Sequence, residues 1–233
     1  MHEYKKHYIA FLDILGFKEM IKDKTCEDIH KILSTKMKKP LSGVYKGTTP
    51  VIDMDDIKQQ VMSDSICFYI ECNKRNALAG LIFTCAYFQE ELLRLQEPIL
   101  IRGAIIQGDL YADDRIIFGP GFVRAYQMEE HCAKFPRIIV TKSTLDDALD
   151  NTDEDVRDYI PQTVFCDFDE FYVVDYMELF EGFDTSGEDC RYLLKYINSI
   201  LGATTDSSVR EKYLYLKKYL LRWYKPELCG RGT

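Results

Sequence analysis

The sequence predicts an α/β (α+β) sandwich, with a largely antiparallel sheet, helices packed on it and further helices at the C-terminal end. Three observations lead there. Short apolar runs of strand length come in pairs around polar turns, and longer stretches with apolar residues at helical spacing lie between them. Their order reads strand, helix, hairpin, helix, hairpin, helix, strand, which is not the strict alternation of a doubly wound parallel sheet.

Residues 8–12 form an apolar strand that ends on Asp13. Ile21, Ile29, Ile32, Leu33 and Met37 then mark one helix over residues 18–38, with Gly16 before it and Pro40 after it. Residues 41–57, rich in Gly, Thr, Pro and Asp, read as a loop. Two strands, 58–62 and 66–70, meet through Ser63, Asp64 and Ser65 in a tight hairpin. Leu78, Leu81, Ile82, Cys85, Phe88, Leu92 and Leu95 give a long amphipathic helix that Pro98 closes. The nearly all-apolar run 99–108 is an interior strand, paired through Ala112, Asp113 and Asp114 with residues 115–118. Gly119, Pro120 and Gly121 punctuate the chain before a helix over 122–132. A strand at 137–140, a helix at 143–149, a solvated loop at 150–158 and an edge strand at 171–174 follow. Residues 188–223 make one or two helices, the second carrying the stripe Val209, Tyr213, Leu216, Leu220 and Trp223. The expected division is a domain over 1–180 and a helical appendage over 181–233.

Composition narrows the function classes. At 233 residues and 46% hydrophobic side chains, the chain can bury a full core, so disorder does not describe any large part of it. A net charge of -8 argues against broad nucleic-acid binding, which needs a positive face, but not against a nucleotide neutralised by metal and local donors. The eight cysteines lack a close CxxC pair and read as packed thiols, and the start of the chain meets Asp13 too soon for a signal peptide. No apolar run is long enough to span a membrane, so a cytoplasmic protein is expected. The four histidines lack an i,i+4 pair and no GxxxxGK[ST] element occurs, which excludes zincin and P-loop chemistry.

Asp13 at a strand end and Asp64 at a hairpin tip emerge together if the two strands are neighbours. Two carboxylates, a backbone carbonyl and phosphate oxygens are the ligand set of Mg²⁺. The competing reading is that both acids serve turns or caps. Gly16 adds backbone N–H groups and a helix start just after Asp13, a seat for outer phosphates.

The segments Phe11-Leu12-Asp13-Ile14-Leu15-Gly16-Phe17, Met62-Ser63-Asp64-Ser65-Ile66, Arg102-Gly103-Ala104-Ile105-Ile106-Gln107-Gly108 and residues 118–129 resemble, in order and spacing, successive blocks of a class III nucleotidyl cyclase catalytic domain. The resemblance spans residues 7–175. Within that family Arg102-Gly103-Ala104 and Ala125-Tyr126-x-x-Glu129 look most like bacterial pyrimidine cyclases of cyclic-nucleotide anti-phage defence. It implies a ferredoxin-like, palm-type sheet and two Mg²⁺ or Mn²⁺ ions per site, held by Asp13, Asp64 and the Ile14 carbonyl. It further implies nucleotide contacts from Gly16, Phe17, Gln60, Ile116 and Tyr126. The implied reaction makes a 3′,5′-cyclic monophosphate and pyrophosphate from a nucleoside triphosphate, UTP or CTP, as a defence messenger. A head-to-tail homodimer with shared sites, and no nucleic-acid or membrane partner, goes with it.

Departures from the family pattern are specific. Gln60 stands where adenylate cyclases of the family carry a base-reading Lys, and Ile116 stands at their Asp or Thr position. Val123 and Gln127 occupy the places of the transition-state Asn and Arg, which leaves Arg124, one residue on, or another basic residue to supply the cation. Arg102 also reads as a packed guanidinium paired with an acid, and Tyr126 as a core or interface aromatic. A catalytically silent cyclase-fold module and another palm-type phosphoryl-transfer enzyme are the competing classes, the latter lacking a Gly-Gly-Asp/Glu-Glu-Phe hairpin.

Overall fold

A computed structural model describes residues 2–36, 54–113, 115–148, 152–158, 160–179 and 188–224. Its centre is β1 (Lys5–Ile14), hydrogen-bonded on one side to β3 (Ser65–Glu71) and on the other to β4 (Ile101–Ala112), both antiparallel. β2 (Lys58–Met62) pairs with β3, so the order β2-β3-β1-β4 is the antiparallel ferredoxin-like arrangement. Beyond β4 the sheet continues through β6 (Ile138–Val140), β8 (Tyr172–Val174) and β7 (Val164–Cys166), with β6 parallel to β4 and the rest antiparallel. The short β5 (Ile117–Phe118) folds back on the end of β4. The architecture is thus a mixed α/β sandwich, largely antiparallel, with C-terminal helices.

One face of the sheet carries most of the core. α3 (Ala77–Leu93) is buried at 15 of its 17 residues, so its apolar surface is taken up by its own subunit and the expected amphipathic face is absent. α8 (Glu188–Ala203) and α9 (Ser207–Trp223) add Leu193, Ile197, Leu216 and Leu220 to the same cluster. The opposite face is covered by α4 (Pro120–Cys132), whose Ala125 lies over Ile9, Phe11, Cys67, Tyr69 and Ile106. α4 comes this close because Gly108 and Gly121 face each other: a Cβ on Gly108 would stand 2.6 Å from the Gly121 Cα.

Several boundaries differ from expectation. The single helix over 18–38 is two, α1 (Phe17–Asp23) and α2 (Cys26–Lys36), because Thr25 and Asp28 form a reciprocal cap. Thr25 Oγ1 donates to the Asp28 carboxylate at 2.6 Å and accepts from the Asp28 N–H at 3.2 Å. Ile21, placed on the apolar stripe, is exposed. β8 is interior, since β7, too short to show in the pattern, takes the sheet edge. The stretch expected as solvated loop contains α6 (Glu154–Arg157), and α5 (Lys142–Ala148) and α7 (Tyr176–Leu179) are the remaining α-helices among the described residues. Cys67, Cys72, Cys85 and Cys190 are packed thiols, whereas Cys26 and Cys166 are exposed. The expected loop at 41–57 lies mostly, and the domain boundary at 180/181 wholly, outside the described residues. Among the described residues no helix is long and apolar enough to cross a membrane.

Candidate active site

Asp13 occupies the penultimate position of β1, opposite Ser65 of β3 and Arg102 of β4. Strand alternation turns it to the face that holds Ile9 and Phe11, beneath α4. Asp64 lies in the β2–β3 turn, where Ser63 takes a positive φ of 58°. The turn is fastened to β1 by the Ile14 N–H, which donates to the Asp64 carbonyl at 2.9 Å. Both acids therefore stand at one end of the sheet, Asp13 on β1 and Asp64 in the turn that leads into the adjacent β3.

Arg102 and Glu129 close the site from the neighbouring strand and from α4. Arg102 Nε donates to Asp13 Oδ2 at 3.3 Å and lies 2.7 Å from Glu129 Oε1, off the N–H axis, so that buried oxygen has no hydrogen bond. Burial pushes the Asp13 carboxyl above its usual range. Arg102 opposes that shift, the Asp64 charge adds to it, and the Lys212 ammonium of α9 opposes it. Burial also pushes Glu129 up to about 7, against the pull of Arg102 and with the charge of Asp13 adding to the rise. Two neighbouring carboxylates whose charges repel are a donor pair that a divalent cation relieves, so Asp13, Asp64 and the Ile14 carbonyl fit Mg²⁺ or Mn²⁺ chemically. Among the described residues no group of three or more His, Cys, Asp or Glu side chains is placed to hold a metal.

The other expected site residues divide into three sets. Gln60 is half-buried opposite Cys67, in the strand row that continues to Phe11, and Tyr126 meets Phe11 edge-on at 5.6 Å while remaining 43% exposed. Gly16, with φ 79°, turns the chain out of β1, and its carbonyl accepts from Glu19 and Met20. Ile14 and Phe17 bury their side chains, so only their backbone is free to face a ligand, and α1 is only seven residues long. Arg124 is exposed on α4, five residues and about 140° around the helix from Glu129. Val123 is exposed as well. Ile116 adjoins β5 at the far end of β4, ten residues or about 33 Å along the strand from Arg102. Sequence reasoning assigned no role to the Glu129 carboxylate or to Lys212. Neither carries a local signal, because the helices that bear them, α4 and α9, are placed by tertiary packing.

No protein-family model and no curated protein significantly matches the chain. Among solved structures it is similar to the adenylyl cyclase CyaB from P. aeruginosa, with 15% identity, a TM-score of 0.49, and coverage of 75% of this chain and 96% of that one. An adenylate/guanylate cyclase/hydrolase from Silicibacter pomeroyi gives 16% identity, a TM-score of 0.47 and coverage of 75% and 96%. The catalytic core of a rhodopsin-guanylyl cyclase with converted specificity, in complex with ATPαS, gives 16% identity and a TM-score of 0.47 over 62% of this chain and 80% of that one. Likenesses at this distance assign neither family nor activity.

Proposed function

We propose that this chain is a metal-dependent nucleotide cyclase that converts a nucleoside triphosphate, UTP ahead of CTP, to its 3′,5′-cyclic monophosphate and pyrophosphate, a product suited to a defence messenger. The observation that carries the reading is the seating of Asp13 on β1 and Asp64 in the adjoining β2–β3 turn at one sheet end, tied by the Ile14 N–H to Asp64 carbonyl bond of 2.9 Å. When bound there by Asp13, Asp64 and the Ile14 carbonyl, Mg²⁺ or Mn²⁺ supplies charge neutralisation and a more acidic ribose 3′-hydroxyl. The 3′-oxygen, its proton passing to solvent, then attacks the α-phosphorus in line, the bond from the α-phosphorus to the bridging oxygen breaks, and pyrophosphate leaves.

Arg102 must give up its bond to Asp13 as substrate enters, and Glu129 keeps the guanidinium in place while it does. Gln60 offers an amide donor and a carbonyl acceptor, which suits a pyrimidine edge. Its place in the Cys67–Phe11 row supports a base pocket beside the exposed Tyr126. Ile116, about 33 Å along β4 from the acids, reaches a site only on a second copy packed head to tail. That distance supports a two-fold homodimer with shared sites.

Incubating the protein with each of the four ribonucleoside triphosphates and Mn²⁺, with mass spectrometry for cyclic monophosphates, tests the reading. Cyclic UMP as the main product is expected, and predominant cyclic AMP or GMP overturns the base assignment. A silent nucleotide-binding module is the second reading, favoured by the uncharged Val123 and Gln127 and by Arg102 already resting on Asp13. Nucleotide binding with no cyclic product from any of the four selects it.

A further inference from the structure

The row of residues at the acid end of the sheet extends past the site. Asp13 is opposite Arg102 on β4, and the parallel register of β4 with β6 sets Arg102 beside Arg137. The register of β6 with β8 then sets Arg137 beside Asp175. α9 crosses this row. Its Tyr219 hydroxyl donates to Asp175 Oδ1 at 2.6 Å. One turn earlier Tyr215 stacks on Phe135 at 4.8 Å, donates to Asp167 at 2.6 Å and holds the Arg137 guanidinium 5.5 Å from its ring centre. Tyr219 thus marks the β8 position and Tyr215 the β6 position, and a helical turn of about 5.4 Å nearly matches a strand spacing of about 4.8 Å.

The next residue of that helical stripe, three before Tyr215, is Lys212, which continues the walk toward β4 and β1. It is half-buried, on the same side of α9 as the two tyrosines that mark β8 and β6. Among the described residues, Arg102 is the cation ion-paired with Asp13 and Glu129, and Asp64 adds a further negative charge, an imbalance that grows when a triphosphate enters. Arg137 cannot swing in, since its guanidinium is engaged by Asp167 and Asp169 inside an aromatic cage of Phe135, Phe168 and Tyr215. Arg124 is turned away.

We propose that Lys212, delivered by α9 across the strand ends, is the phosphate-binding cation of the Asp13–Asp64 site, a role that rests on reading this pair as a triphosphate site. A flexible ammonium stem suits it, as it can reach oxygens whose positions shift while pyrophosphate separates. The C-terminal helices are then part of the substrate site, and the α9 anchors at Tyr215 and Tyr219 fix where the charge arrives.

The test measures binding of inorganic tripolyphosphate with Mn²⁺ by calorimetry, which needs no turnover. Lys212→Ala is expected to weaken binding about tenfold, Lys212→Glu further, and Lys212→Arg to restore most of it, with melting temperatures unchanged. Equal binding by wild type and Lys212→Ala, with Asp13→Ala still abolishing it, overturns the assignment and leaves the cyclase reading standing. Lys212-dependent binding in a protein that cyclises none of the four nucleotides overturns the cyclase reading and leaves the assignment standing.

Discussion

Arg102 stands between two acids from different layers of the fold, 3.3 Å from Asp13 on the neighbouring strand and 2.7 Å from Glu129 on the helix above. Removing it strands Glu129, which is 3% exposed and has a buried oxygen without a hydrogen bond. Arg102→Met is expected to cost about 2–4 kcal/mol in urea unfolding, toward the low end because the arginine side chain keeps 23% of its exposure. The double variant Arg102→Met/Glu129→Leu recovers most of that loss. Equal losses in the single and double variants would show that the pair is not coupled.

Glu129 gives the protein a pH signature. Burial raises its folded pKa from 4.5 to about 7, so the folded state keeps a proton that the unfolded chain releases. Its contribution to stability is therefore greatest below the unfolded value and is lost as pH rises through that window. Glu129→Gln has no such proton to lose, and the stability of the variant over wild type should grow from about pH 5 to about pH 8. Parallel stability profiles across this range would exclude the assignment.

Asp64 and Asp13 repel one another when no cation is bound. Asp64→Ala is expected to lower Mn²⁺ affinity by roughly a hundredfold or more, since even outer-shell changes cost about 10–100-fold. The melting temperature in chelator should stay level or rise slightly as the repulsion is removed. Unchanged Mn²⁺ affinity by calorimetry would remove the metal site.

Two glycines should respond in opposite directions to alanine. A Cβ on Gly121 meets Ile9 Cδ1 at 2.7 Å and backbone of Gly108 and Asp109 at 2.9 Å, so Gly121→Ala should cost about 1–3 kcal/mol and lift α4 from the sheet. Gly202, in α8, has nothing within 4 Å, and Gly202→Ala should gain up to about 1 kcal/mol. Thermal unfolding of the two variants reads the contrast directly.

The parts legible from sequence were those with local signals. The β2–β3 hairpin and β1 were readable because short apolar runs and the Ser63-Asp64-Ser65 turn act within a few residues, and these elements put Asp13 and Asp64 at the same end of the sheet. The break at Thr25 escaped because its cap is made by polar side chains that leave the apolar spacing intact on either side. β7 escaped because three residues carry too little pattern. α3 was read as half-exposed since spacing alone does not reveal that α7 packs on it while the sheet lies beneath. The placement of Lys212 depends on register across four strands, a relation that no window of sequence contains.

The sheet has a seam. β1, β3 and β4 are ladders of 7 to 12 residues, whereas β6, β7 and β8 have three residues each and join the others through one parallel pairing. In amide exchange the long ladders should report global unfolding, while the short ones open earlier as a unit. Because Tyr215 and Tyr219 attach α9 to this short-stranded flank, its opening carries the helix away with it. Opening would have to part the flank from the main core it shares with the central sheet, and the exchange rate of its amides would time that motion.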